Sequence, residues 1–311
     1  MRSRLVGIVA GVLALGLLTP SVAAADQQFS VPYGYAGLTA AAAAELAHPY
    51  SAPPGANNWS CRPTAAHPDP VVLVHGASAN MTENWQTISP LLANNGYCVF
   101  ALTYGVPAGT PFPIDQIGGR NPMEQSAAEL GAFIDRVLRA TRAAKVAVVG
   151  HSEGSLMPDY YVKFLGGAAK VRDYVAMTPL WNGSNVAHLA DFYVLARMFG
   201  LGPVVDLIVD AAFPAARQFL TGSDFLKKLG DPNVPGVRYT TVMTTHDEAV
   251  VPYTSGFMAG ATNVVLQDLC PQDFAGHGMV AFDPNATQVV LNALDSAHAS
   301  PVQCSPVPVS P

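Results

Sequence analysis

Residues 146–154 read Val146-Ala147-Val148-Val149-Gly150-His151-Ser152-Glu153-Gly154. A run of β-branched and small apolar residues ends in glycine, and the last five residues form G-x-S-x-G. Such a run predicts a buried strand. The run that follows, Leu156 to Leu165, is compatible with a helix. Strand, sharp turn and helix in that order is the setting of a nucleophile elbow, in which a serine is held strained with its oxygen above the sheet. Glycines flank it because a Cβ two residues to either side would strike neighbouring backbone. The bare pattern recurs by chance in glycine-rich chains and also fits a plain strand–turn–helix junction. Its context is what singles it out.

On either side of this stretch, strands and helices alternate. Val71 to Val74 is a short apolar run ending in His75-Gly76-Ala77. Trp85 to Leu92 can form a helix that Pro90 shortens or kinks. Tyr97 to Tyr104 is the next strand. Asn121-Pro122-Met123-Glu124 predicts a helix start, with asparagine as cap, proline at the first helical position and glutamate placed for a capping box. Ala127, Leu130, Ile134, Val137 and Leu138 then share one helical face. Beyond the elbow, strands are expected at Tyr174 to Met177, Tyr239 to Met243 and Asn263 to Leu266. A last helix begins at Asp283-Pro284 and lines up Ala286, Val290, Ala293 and Ala297. The alternation implies an α/β fold, a parallel sheet covered on both faces.

A serine hydroxyl is a poor nucleophile at neutral pH and needs a base, which in turn needs an orienting carboxylate. In folds built on such a nucleophile elbow these follow the serine in the order acid, then histidine, each on a loop after a strand. Tyr239 to Met243 runs into Thr244-Thr245-His246-Asp247-Glu248, which puts Asp247 in the acid position. Glu248 is the nearest alternative acid, and Asp247 also reads as a surface turn residue. The loop after Asn263 to Leu266 carries Gly276-His277-Gly278, which puts His277 in the base position. His246 adjoins the acid and precedes the last strand, and His298 reads as a solvated helix face. The expected catalytic set is therefore Ser152, Asp247 and His277. The backbone N–H groups of Ala77 and Glu153 are the expected oxyanion hole, where losing one donor costs about 3–4 kcal/mol. The ring of His75 is expected to hold the loop shape.

The chain ends read differently. Arg2 and Arg4, the apolar stretch Leu5 to Leu18 and Ala23-Ala24-Ala25 before Asp26 have the layout of a secretory signal peptide over residues 1–25. Fourteen apolar residues are short for a transmembrane anchor. Without the two arginines, 14 basic and 22 acidic residues remain, a formal charge of −8. That balance, with no basic run beyond Lys227-Lys228, argues against nucleic acid as a partner. Residues 26–69 read as an arm wrapped on the surface, with a short helix over Thr39 to Leu46. Residues 70–300 form the main domain and residues 301–311 a Pro-rich tail.

Export makes the cysteines interpretable. The four, Cys61, Cys98, Cys270 and Cys304, lack the close pairs of a zinc site. In an oxidising compartment they allow two disulfides in three connectivities. Cys61 with Cys98 is favoured because Cys61 lies just before one expected strand and Cys98 inside the next, which makes them neighbours in the sheet. Cys270 with Cys304 would tie the tail to the body. Free buried thiols are the alternative.

Pro70 to Gly76, Asn84-Trp85, Gly150 to Gly154, the Asp247 stretch and His277 together resemble the α/β-hydrolase superfamily and, within it, the secreted bacterial, actinobacterial-type class 2 lipase/esterase family. The resemblance runs from Trp59 to Ala297. It implies a mostly parallel central sheet with helices on both faces and a helical cap inserted after the sixth strand. It further implies a triacylglycerol lipase-like serine esterase acting on carboxylic esters, foremost acylglycerols, at a lipid–water interface. The single Gly-X oxyanion turn is similar to that of lipases taking medium and long acyl chains. No cofactor is expected, and no ligand set supports a metal site.

Residues 182–236 are too long for a simple strand connection and occupy the usual position of a cap or lid. Leu189 to Phe199, Val204 to Phe213 and Pro214 to Leu220 can form three short helices. Phe192, Leu195, Phe199, Val205 and Ile208 either pack as the cap's own core or line an acyl-chain site. Charged residues such as Asp191, Arg197 and Asp206 break any membrane-spanning reading. The same triad also suits a short-chain carboxylesterase, a polyester hydrolase, an acyltransferase or an amide hydrolase. A catalytically silent hydrolase fold used for binding is the reading from a different class.

Overall fold

In a computed structural model of the chain, residues 30–35, 37–185 and 213–309 are described. Residues 1–25, read as a signal peptide, lie outside them, as do Phe192, Leu195, Phe199, Val205 and Ile208.

Each of the six apolar runs expected to be strands carries a strand. In chain order the elements are α1 (Gly37–Ala47), β1 (Val71–Val74), α2 (Met81–Asn84), α3 (Ile88–Asn94), β2 (Val99–Leu102), α4 (Met123–Thr141), β3 (Val146–His151), α5 (Glu153–Phe164) and β4 (Val171–Met177). After the long insertion come α6 (Asp224–Leu229), β5 (Arg238–Met243), β6 (Thr262–Val265), α7 (Leu266–Leu269) and α8 (Pro284–Leu294). The six strands form one sheet in the order β2-β1-β3-β4-β5-β6. Every pairing is parallel, and β3 lies between β1 and β4.

Successive strand side chains point to opposite faces, and the core divides accordingly. Val72, Val74, Phe100, Val146, Val148, Tyr174 and Ala176 pack with Leu130 and Ile134 of α4 and Leu156 of α5. Val71, Leu73, Val99, Ala147, Val149 and Val175 pack on the other face with Ile88 and Leu92 of α3 and Ala286 and Val290 of α8. Truncating a fully buried member such as Ile134 to alanine would cost about 2–5 kcal/mol.

Three local readings are corrected. The insertion follows the fourth of the six described strands and not a sixth. The arm adds no strand ahead of β1 among the described residues, only the isolated bridge Ala56↔Val99, and its prolines cannot donate to a ladder. The start of α4 is capped from afar: Pro122 is the N-cap residue without a side-chain bond. Asn121 Nδ2 donates to Val106 O, while Gln218 Oε1 accepts from Met123 N at 2.6 Å and Gln218 Nε2 donates to Glu124 at 2.7 Å. Lastly, the helix expected from Trp85 begins only at Ile88 and runs on past Pro90 to Asn94. Pro90 sits buried at the third position of α3, inside the first turn, where no intrahelical N–H is required.

The start of α8 fits its sequence: Asp283 accepts from the N–H groups of Asn285 and Ala286, and Pro284 opens the helix. Both disulfides form as favoured, Cys61 to Cys98 and Cys270 to Cys304. Of the insertion, residues 182–185 and 213–236 are described. Pro214–Arg217 is a 3₁₀ turn, and Ser184 bridges Leu220 so that the two stems meet. The expected helices at Leu189 to Phe199 and Val204 to Phe213 lie almost wholly outside the described residues.

Candidate active site

Ser152 sits between β3 and α5 with φ 56° and ψ −123°, a strained conformation for a residue with a side chain. The surroundings make that turn tight. A Cβ on Gly150 would lie 1.9 Å from Gly154 O, and one on Gly154 would lie 2.1 Å from Val74 O. Only glycine fits at either position. The Ser152 N–H donates to Met177 O at 2.9 Å, and Ser155 Oγ lies 2.9 Å from both Gly150 O and Met177 O, within reach of either carbonyl for its one proton, which ties the elbow to the end of β4.

Two further loops meet at the same end of the sheet. After β5, Asp247 is almost fully buried, and its Oδ1 accepts from the N–H groups of Ala249 (3.0 Å) and Val250 (2.7 Å). The same oxygen lies 2.9 Å from Nδ1 of His277, and Oδ2 lies 3.1 Å from it. Glu248 takes a different part: its Oε2 accepts the backbone N–H of His277 at 2.9 Å and leaves the ring to Asp247. His246 packs its ring on Phe274, and His298 is exposed and paired with Asp295, in a 3₁₀ turn beyond α8. Among the described residues no hydrogen bond joins Ser152 Oγ to His277. The neighbouring residue makes the contact: His151 Nε2 lies 3.0 Å from His277 O, with the two rings 5.2 Å apart.

The turn after β1 is fixed by His75. Its Nε2 accepts the Tyr104 N–H at 3.2 Å, so Nδ1 carries the proton and donates to Gly76 O at 2.7 Å. Burial drives the ring's pKa down to about 4, which keeps it neutral. A trans peptide sends C=O and N–H in opposite directions. Holding the Gly76 carbonyl therefore turns the Ala77 N–H away from His75. Neither that N–H nor the one of Glu153 donates to another described group. Gly76 lies against the serine: a Cβ there would be 3.1 Å from Ser152 Cβ.

Several residues at this end escaped the sequence reading. Glu153 buries its carboxyl with neither oxygen hydrogen-bonded, and burial raises its pKa well above the usual carboxylate range. The Tyr104 hydroxyl lies beside it but donates to His75 O. Asn84 Oδ1 accepts the Gly76 N–H at 3.0 Å and lies 3.1 Å from His151 Nδ1. Nothing in local sequence marks these partners, although Asn84 belongs to the stretch that carried the family resemblance. Among the described residues no group of three or more His, Cys, Asp or Glu side chains could hold a metal ion, and no helix is long and apolar enough to cross a membrane.

A parallel sheet with a strained serine turn after its central strand, and acid and histidine loops after later strands, is the α/β-hydrolase architecture. The chain belongs to the class 2 lipase family, whose profile matches residues 68–290. Among solved structures it is similar to Aspergillus fumigatus lipase B, with 19% identity and a TM-score of 0.58 over 88% of this chain and 60% of that one. It thus spans less than two thirds of that protein's length. It is also similar to the mature form of Bacillus licheniformis lipase BlEst2, with 17% identity and a TM-score of 0.54 over 75% of this chain and 94% of that one. At these identities the structural likeness speaks for the fold.

Proposed function

We propose that the chain is a secreted serine esterase that cleaves carboxylic esters, acylglycerols foremost, through an acyl-enzyme. The observation that carries this reading is the buried Asp247 carboxylate bonded at 2.9 Å to His277 Nδ1, at the same sheet end as the strained Ser152. His277 Nε2 takes the Ser152 proton as the oxygen attacks the ester carbonyl, and Asp247 stabilises the imidazolium. The alkoxide leaves with that proton, and water activated by the same ring releases the acid. The Ala77 and Glu153 N–H groups receive the developing oxyanion. Secretion is supported by the two disulfides, which persist in oxidising compartments. Residues 182–236 act as a cap over the site, and Phe192, Leu195, Phe199, Val205 and Ile208 line the acyl-chain path.

Ser152→Ala should abolish p-nitrophenyl ester hydrolysis and labelling by a fluorophosphonate probe without unfolding the protein. Turnover surviving that change would overturn the triad. Absent labelling of the wild type would favour a silent binding fold. Relative rates on tributyrin and on long-chain triglyceride emulsions separate a lipase from a short-chain esterase.

A further inference from the structure

His151, the variable residue of the G-x-S-x-G turn, has its ring buried between two loops that the mechanism needs. The His277 carbonyl can only accept a hydrogen bond, so in the tautomer with its proton on Nε2, 3.0 Å away, the His151 ring donates to it. Burial and the neighbouring His277 ring drive the pKa of His151 down to about 3, so the ring carries a single proton. The other ring nitrogen, Nδ1, lies 3.1 Å from Asn84 Oδ1. That amide also binds the Gly76 N–H, one residue ahead of Ala77. The side chain next to the serine thus spans from the turn after β1 to the backbone of the base, 126 residues away in sequence.

From this juxtaposition we infer that His151 is a positioning residue, whose Nε2–H sets the backbone of His277 and so the distance between the base and Ser152. The inference rests on the esterase reading. Asp247 fixes the rotation of the imidazole, and Glu248 and His151 fix the peptide groups on its two sides: one accepts the His277 N–H and the other donates to its C=O. The ring is too buried to meet solvent and need not touch substrate. Its effect falls on the chemical step and not on binding.

Three variants test this. His151→Gln can place an amide nitrogen where Nε2 lies. His151→Asn reaches only the Nδ1 position, and His151→Phe keeps the ring volume without a donor. The assignment expects kcat on a soluble p-nitrophenyl ester to fall about tenfold to a hundredfold in the Asn and Phe variants, since small misplacements of a base are that costly. KM should be unchanged, and His151→Gln should recover most of the loss. Thermal melts accompany each variant, and the Gln–Asn comparison carries the test if Phe fails to fold. Equal kcat in Gln and Asn, or wild-type kcat in Phe, would overturn the role of His151 while labelling of Ser152 by fluorophosphonate still upheld the esterase reading. A wild type that neither labels nor turns over ester would overturn both.

Discussion

The Asp247 carboxylate meets Nδ1 of His277 with both oxygens, at 2.9 and 3.1 Å, while Oδ1 also closes a turn through the N–H groups of Ala249 and Val250. One oxygen therefore serves the loop and the ring together. Asp247→Asn separates the two tasks. The asparagine oxygen can still accept from Ala249 and Val250, so the loop keeps its shape. Its amide nitrogen, turned to the ring, favours the tautomer with the proton on Nε2, which cannot take the serine proton. We expect kcat on p-nitrophenyl esters to drop by about four orders of magnitude, with a melting temperature near that of the wild type. A loss of only a few fold would assign the acid role elsewhere, Glu248 being the adjacent carboxylate.

The elbow makes a steric prediction independent of chemistry. Gly150→Ala would set a methyl 1.9 Å from Gly154 O, and backbone cannot yield as a side-chain tip can. The variant should lose roughly 3 kcal/mol or more in urea unfolding, or fail to accumulate as soluble protein. Gly34→Ala is the control, since its added methyl meets nothing within 4 Å. A tolerant Gly150→Ala variant would mean that β3 and α5 do not approach as closely as described.

These glycines show why the candidate site's loops could be placed from the sequence. An elbow is local: strand pattern, turn residues and helix start lie within a few positions, as do the loops bearing Asp247 and His277 after their strands. The alternation of apolar strand runs with helices likewise implied a sheet covered on both faces. What could not be read depends on contacts across the chain. The cap of α4 is Gln218, 95 residues from the N–H it serves, and the nearby Asn121 points elsewhere. His151 looks like a spacer in its motif, and its partners Asn84 and His277 lie 67 and 126 residues away. Glu153 reads as an ordinary charged first-turn residue, yet it is buried because Gly119 and Tyr104 fold over it.

Asp159, buried on α5, gives a pH signature. Its Oδ1 accepts from the Tyr239 hydroxyl at 2.8 Å, and its Oδ2 has no partner. Burial raises its pKa from 3.8 to about 7. The folded state thus holds the proton more tightly than the unfolded chain. The cost of ionisation is absent below about pH 4, grows as the pH rises towards 7, and is constant above that. Asp159→Asn keeps an oxygen for Tyr239 and never ionises. Its stability advantage over wild type should be near zero at pH 3.5 and rise to a plateau above pH 7, at most about 4 kcal/mol. A difference between the two proteins that does not vary with pH in urea unfolding would rule this out.

The second disulfide bears on the base loop as well as on the tail. Cys270 and Cys304 stand 34 residues apart and enclose the segment that carries His277 and α8. Just beyond Cys304, the Ser305 N–H donates to Asn285 Oδ1, and Phe274 N donates to Val307 O, three residues before the histidine. The tail therefore lies as a short strap along the loop, and the bond holds the strap in place. Opening it releases the loop-closure constraint on the unfolded chain, worth about 3–4 kcal/mol for a loop of this length. It also lets the strap leave the loop that positions the base. Replacing both cysteines by serine should lower the melting temperature by roughly 10 °C. Ester hydrolysis should fail at a lower temperature than global unfolding, because the strap is held at the edge of the fold by few bonds and opens first. If activity and far-UV signal were instead lost together at an unchanged temperature, the strap would have no part in holding His277.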